Sequence, residues 1–88
     1  MNKKITTALK EINKIRLFLK LQPINSFPLG KQCSSNSCPI ANLFKKDGFK
    51  VNVDTDYITL NKIDIGVNAI VSGFISDFDN GVYPELVK

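Results

Sequence analysis

The hydrophobic period of this 88-residue chain changes at Asp47-Gly48, and that change bounds the fold more tightly than any other feature. Downstream of it, Phe49, Val51 and Val53 alternate with Lys50, Asn52 and Asp54. A period of two sends successive side chains to opposite faces, the pattern of a strand with one buried side. Asp54-Thr55-Asp56 is turn chemistry, Tyr57-Ile58-Thr59-Leu60 reads as a second strand, and Asn61-Lys62 can turn into a short Ile63-Asp64-Ile65. Upstream the spacing is three and four: Ile5, Ala8, Leu9, Ile12, Ile15, Arg16 and Leu19 share one stripe of a helix, with Lys3, Lys10 and Lys14 on the opposite side. The stripe breaks at Leu17, Phe18, Leu19 and Leu21, which are apolar nearly all round, and Pro23 forbids continuation. The helix is expected to stop near Leu19–Leu21, with its last turn buried or covered by another subunit.

Residues 22–37 read as a loop rich in Pro, Gly, Ser and Asn, yet Ile24, Phe27 and Leu29 call for a packed connection rather than a flexible linker. Cys38-Pro39 starts a short second helix, because proline at the first helical position loses no hydrogen bond. Ile40, Leu43 and Phe44 form its buried face, and Asp47-Gly48 ends it. Val67, Ile70, Val71, Phe74, Ile75 and Phe78 predict a last helix that Asn80-Gly81 closes. Gly73 inside that helix costs about 1 kcal/mol, so close packing of backbone is expected there. "VYPELVK" follows as an extended tail, with Tyr83, Pro84 and Phe78 expected to staple it to the core. The expected fold is a single α+β domain over 1–88: N-terminal helix, packed loop, short helix, antiparallel β-hairpin or meander and C-terminal helix, with the helices covering one face of the sheet.

The chain has no histidine. This removes His-based acid–base catalysis, Ser-His-Asp and Cys-His nucleophile pairs, and histidine zinc sites. Two cysteines, Cys33 and Cys38, make at most half a zinc site, and a disulfide between them would contribute about 2 kcal/mol. Cys38 is read as a helix start or core filler and Cys33 as loop packing, ahead of any thiol chemistry. Asp77-Phe78-Asp79-Asn80-Gly81 superficially resembles a calcium loop, but its glycine comes one position early and the closing glutamate is missing. Asp54 and Asp56 are turn residues. No catalytic residue, metal or cofactor is expected. No apolar run reaches membrane-spanning length, and charged residues interrupt what would be the core of a signal peptide, so a cytoplasmic protein is expected.

Charge is divided unevenly. Residues 1–50 carry ten Lys/Arg against two acids, and residues 51–88 carry two Lys against six acids. The basic half contains the candidate contact residues for a protein or nucleic-acid partner: Lys3, Lys10, Lys14, Arg16 and Leu17, extended by Lys45 and Lys46 if the two helices are neighbours. The alternative is a solvated helix face. A second candidate is the Ser-rich loop before the short helix. Free N–H groups at the helix start, the hydroxyls of Ser35 and Ser37, Cys38 and the nearby Lys31 suit a small anion. Ordinary N-capping competes with that reading, and no Gly-rich phosphate motif supports it.

Cys38, Pro39, Ile40 and Ala41, then Gly48 with Val51 and Val53, then Phe78, Asp79, Gly81, Tyr83, Pro84 and Leu86 resemble the pattern of small uncharacterised proteins of actinobacteria and their phages. The resemblance covers residues 38–87 and leaves out Cys33 and the basic N-terminal helix. It implies a small cytoplasmic α+β protein from accessory or phage-derived settings, with no activity to carry over.

The functional expectation is a small non-catalytic regulator that occupies a surface of a macromolecular partner, as a phage-type inhibitor of a host system would. A protein partner leads, and the apolar residues Leu17, Phe18, Leu21 and Phe27 also suit self-association. The alternatives are a nucleic-acid-binding accessory protein using the basic half, and an oligomeric sponge for a small anionic ligand. No membrane partner is expected.

Overall fold

The computed structural model describes residues 2–88 and has the expected α+β architecture: α1 (Lys3–Phe18), α2 (Pro39–Lys45), strands β1 (Val51–Val53), β2 (Tyr57–Leu60) and β3 (Ile63–Gly66), α3 (Ala69–Asp79) and a single 3-10 turn at Pro84–Leu86. Each helix starts on a side-chain cap. Asn2 accepts from Lys4 and Ile5, Cys38 Sγ from Ala41, and Asn68 from Val71.

The sheet is an antiparallel meander in the order β1-β2-β3. Its register pairs Val51 with Leu60 and Val53 with Ile58, and then Ile58 with Ile65 and Leu60 with Ile63. These pairs fall on one face, and Val51, Val53, Ile58 and Leu60 are buried there. The other face is polar; Thr59 Oγ1 donates to Asp64 Oδ1 across it at 2.6 Å. Asn61 and Lys62, with φ of 51° and 73°, form the two-residue link between β2 and β3.

The helices pack over the apolar face. Ala8 and Ile12 of α1, Ile40, Ala41, Leu43 and Phe44 of α2, and Val71, Phe74, Ile75 and Phe78 of α3 share one core with the strands. Three aromatics from distant segments stack inside it: Phe74 lies 4.7 Å from Phe27 of the loop and 5.2 Å from Tyr83 of the tail, centroid to centroid. Phe27 therefore makes the long loop a packed connection, as its sequence required.

Four expectations are corrected. The segment after α3 is not extended. Tyr83 is buried, Pro84–Leu86 make a 3-10 turn, and Gly30 pairs in parallel with Val87 through Gly30 N–H to Leu86 O and Lys88 N–H to Gly30 O. Second, of the two expectations for the last turn of α1, burial within the chain fails, because Leu17 is 75% exposed and Phe18 is 82% exposed; cover by another subunit is the branch that is left. Third, nothing packs on Gly73; a Cβ there would meet no atom within 4 Å. Close approach occurs at Gly30 instead, where a Cβ would run into the backbone at Pro39 N and Cys38 C. Fourth, Ile70 belongs to the periodic stripe of α3 but is exposed, lining a groove beside the start of α1.

Candidate functional site

The sequence offered two candidate sites, and the fold treats them differently. The Ser-rich loop is occupied with holding the structure together. Gln32 Nε2 donates to Phe78 O at 3.2 Å and Cys33 N–H to Asp79 Oδ1 at 2.8 Å, so the loop satisfies one backbone carbonyl and one carboxylate at the end of α3. Val53 N–H donates to Ser35 O at 2.7 Å, which covers the outer edge of β1. Ser34 and Ser37 hydroxyls both donate to Asn36 Oδ1, and Asn42 Nδ2 donates to Ser37 O.

The start of α2 is equally committed. Pro39 has no N–H, and Ala41 N–H donates to Cys38 Sγ at 3.5 Å. Burial pushes the Cys38 thiol upward, against the downward pull of the backbone N–H groups of Ala41 and Ile40. The sulfur is a neutral cap. Beside it lies a cleft of about 250 Å³ with Pro39, Ile40, Val53, Phe74, Ile75 and Phe78 in its wall. Ser35 and Cys38 line that cleft, whereas Lys31 and Ser37 do not; the charged residues in the wall are Asp54 and Asp79. The four residues chosen for an anion are thus not gathered around one space, and the two charges facing the space are negative.

The basic–apolar candidate is assembled differently. Lys10, Asn13, Lys14 and Leu17 follow one another at spacings of three, four and seven on α1, and with Leu21 and Pro23 they line a groove of about 370 Å³. The far wall is the strap from Leu19 to Ile24, which three features fasten to α1. Leu21 N–H donates to Arg16 O and Lys20 N–H to Leu17 O, a Schellman ending with Lys20 at φ 61° in the position glycine usually takes. Asn13 holds Ile24 twice, from Nδ2 to the carbonyl and from the N–H to Oδ1, both at 2.9 Å. Arg16 Nε donates to Gln22 O at 2.7 Å.

Arg16 itself is a correction. It was grouped with the surface lysines, but it is 3% exposed: Nη1 meets Asp47 Oδ2 at 2.8 Å and the guanidinium lies 5.6 Å from the centroid of Phe44. A planar, forked cation can satisfy several acceptors at once while stacking on a ring, and this side chain does so. Its contact draws the end of α2, with exposed Lys45 and Lys46, toward the second half of α1. Lys3 lies at the other end of α1, beside a larger apolar groove of about 570 Å³ shared with Ala69, Ile70, Gly73 and Tyr83.

Lys14 pairs with Glu11 at 2.9 Å, and Glu11 also accepts from Asn68 at 2.6 Å. Lys10 enters neither of the ion pairs formed among the described residues. The sequence marks Lys10, Lys14, Leu17 and Leu21 for a contact surface; Asn13 and Pro23 are not legible as groove residues, because only the folded strap turns this side of α1 into a groove. Among the described residues, no helix is long and apolar enough to cross a membrane.

No family model matches the chain, and no curated protein or solved structure matches it.

Proposed function

We propose that this protein is a non-catalytic regulator that binds a protein partner through the second half of α1, in the cytoplasm, as a small inhibitor would. The observation that carries this reading is the exposure of Leu17 and Phe18, 75% and 82%, next to Lys10 and Lys14. Large apolar side chains on a rigid turn, flanked by cations, make a contact surface of the kind partners bury. The fold stabilises that turn with a strap pinned at Asn13 and Arg16, so little entropy is lost when something docks there. The free thiols of Cys33 and Cys38 suit a reducing compartment.

Immobilised wild-type protein and a Leu17→Ser/Phe18→Ser variant, offered the same nuclease-treated bacterial lysate, test the reading. Wild type should retain one protein in stoichiometric amount, and the variant should lose it. Retention that the two substitutions leave unchanged would refute the assignment of the surface.

The second reading, a nucleic-acid-binding accessory protein, draws on the ten Lys/Arg in residues 1–50. It predicts binding that weakens steeply between low and moderate salt and that disappears with Lys10→Glu/Lys14→Glu. A flat titration with DNA and RNA at low salt excludes it.

A further inference from the structure

Resting on the proposed contact surface, we infer that the segment seated in the α1–strap groove is an acidic amphipathic helix of the partner. The apolar residues lining the groove are Leu17, Leu21 and Pro23, and its charged lining residues, Lys10 and Lys14, are both cations. Lys10 is uncommitted to an ion pair within the described residues, and the Lys14–Glu11 pair lies at the surface, where the lysine can be shared at little cost.

The shape favours a helix over a strand. The groove runs between a helix and a pinned strap and has no free sheet edge along it, so an extended peptide would find no ladder of main-chain groups to join. A helix needs only apolar anchors on one face and carboxylates along the flank that meets Lys10 and Lys14.

Charge decides between this occupant and two others. A second copy docked by the same surface would gather Lys10 and Lys14 of both chains, four cations, in one interface, because an isologous contact uses the same patch twice. A single-stranded nucleic acid would place its bases against leucine and proline, which offer no stacking platform, and a duplex would set its phosphates over the same apolar side chains.

The test uses the full chain and two synthetic peptides of equal length, each with leucines at positions i, i+3, i+4 and i+7 of a helix, one with glutamates on the flanks and one with lysines. Binding is followed by amide chemical shifts and by fluorescence anisotropy. The glutamate peptide should bind, with shifts at Lys10, Asn13, Lys14, Leu17 and Leu21, and the lysine peptide should bind at least about tenfold more weakly. Lys10→Glu/Lys14→Glu should reverse the preference, and Leu17→Ser should weaken both peptides; circular dichroism establishes that these exposed-site variants fold.

Equal affinity for the two peptides, or shifts centred elsewhere, overturns the inference. So does a wild-type dimer that Leu17→Ser/Phe18→Ser converts to monomer, which would make the occupant a second copy, or displacement of the glutamate peptide by duplex DNA. The contact surface and its acidic occupant fail separately. If a captured partner depends on Leu17 and Phe18 but ignores charge reversal at Lys10 and Lys14, the contact surface stands and the acidic helix falls. If it ignores Leu17 and Phe18, the surface itself falls.

Discussion

Arg16 Nη1 and Asp47 Oδ2 meet at 2.8 Å across 31 positions of sequence, and this contact ties the long N-terminal helix to the end of α2. Arg16 is buried while about a third of Asp47 remains accessible, so the pair bridges interior and solvent. Its value lies less in attraction than in the cost of leaving the guanidinium without an acceptor. Asp47→Asn is expected to lower stability by about 1–3 kcal/mol, read from urea unfolding midpoints at constant slope. Arg16→Ala should cost more, because it also frees Gln22 O and uncovers Phe44. A variant at position 47 indistinguishable from wild type would show the contact to be energetically idle.

Gly30 and Gly73 should respond to alanine with opposite signs. At Gly30 the new methyl would run into Pro39 N and Cys38 C, backbone atoms that cannot step aside, so Gly30→Ala should be strongly destabilising or prevent folding. At Gly73, inside α3, the methyl enters open space and removes a helix penalty, so Gly73→Ala should stabilise by up to about 1 kcal/mol. Thermal melts of the two variants side by side check both signs. A loss of stability at position 73 would mean that the backbone there is needed in the free protein.

Lys20 stands in the left-handed region at the C′ position of α1. A side chain in that conformation costs about 1 kcal/mol relative to glycine. Lys20→Gly should therefore raise stability by roughly that amount, offset in part by the added freedom of the unfolded chain. Unchanged or lower stability would contradict the left-handed ending of α1.

The two thiols should be separable by reagent. Cys33 is exposed and Cys38 is buried, with its thiol pushed upward by that burial. A maleimide should label Cys33 in the folded protein and reach Cys38 only after denaturation, which mass spectrometry of a time course resolves. Equal labelling rates under native conditions would contradict the capping role of Cys38.

Glu11 gives acid sensitivity. Its hydrogen bonds from Lys14 first, and from Asn68 second, hold the carboxyl below the ordinary glutamate range. A folded value below the unfolded one means that the contribution is present above the unfolded value and is lost as pH falls through the folded one. The stability difference between wild type and Glu11→Gln should therefore be constant near neutrality and shrink on acidification below about the usual glutamate pKa. Parallel curves down to the acid limit would remove Glu11 from the account.

The secondary-structure elements are legible in the chain without its fold. Apolar residues at spacings of three and four specify α1 and α3, alternation specifies β1, and Pro39, Asp47-Gly48 and Asn61-Lys62 mark boundaries, because these signals are local and depend only on backbone geometry. The absence of histidine likewise excluded its chemistry without any coordinates. Tertiary structure alone decided what each surface residue faces. Arg16 shares the apolar stripe of α1 by its spacing and counts among the basic contact candidates by its charge; packing decided between the two by turning it onto Asp47, Gln22 and Phe44. Lys31 lay close in sequence to the helix start, yet the folded loop keeps it out of the wall of the cleft, and two carboxylates from distant segments line that wall instead. The tail read as extended because a single proline turn has no period, and it is held by Gly30, fifty-odd positions away in the sequence. The groove on α1 was half visible: its lysines, Leu17 and Leu21 are marked in the sequence, while Pro23 reaches it only because Asn13 and Arg16 pin the strap. Pairwise contacts across long loops carry that information, and no local pattern encodes them.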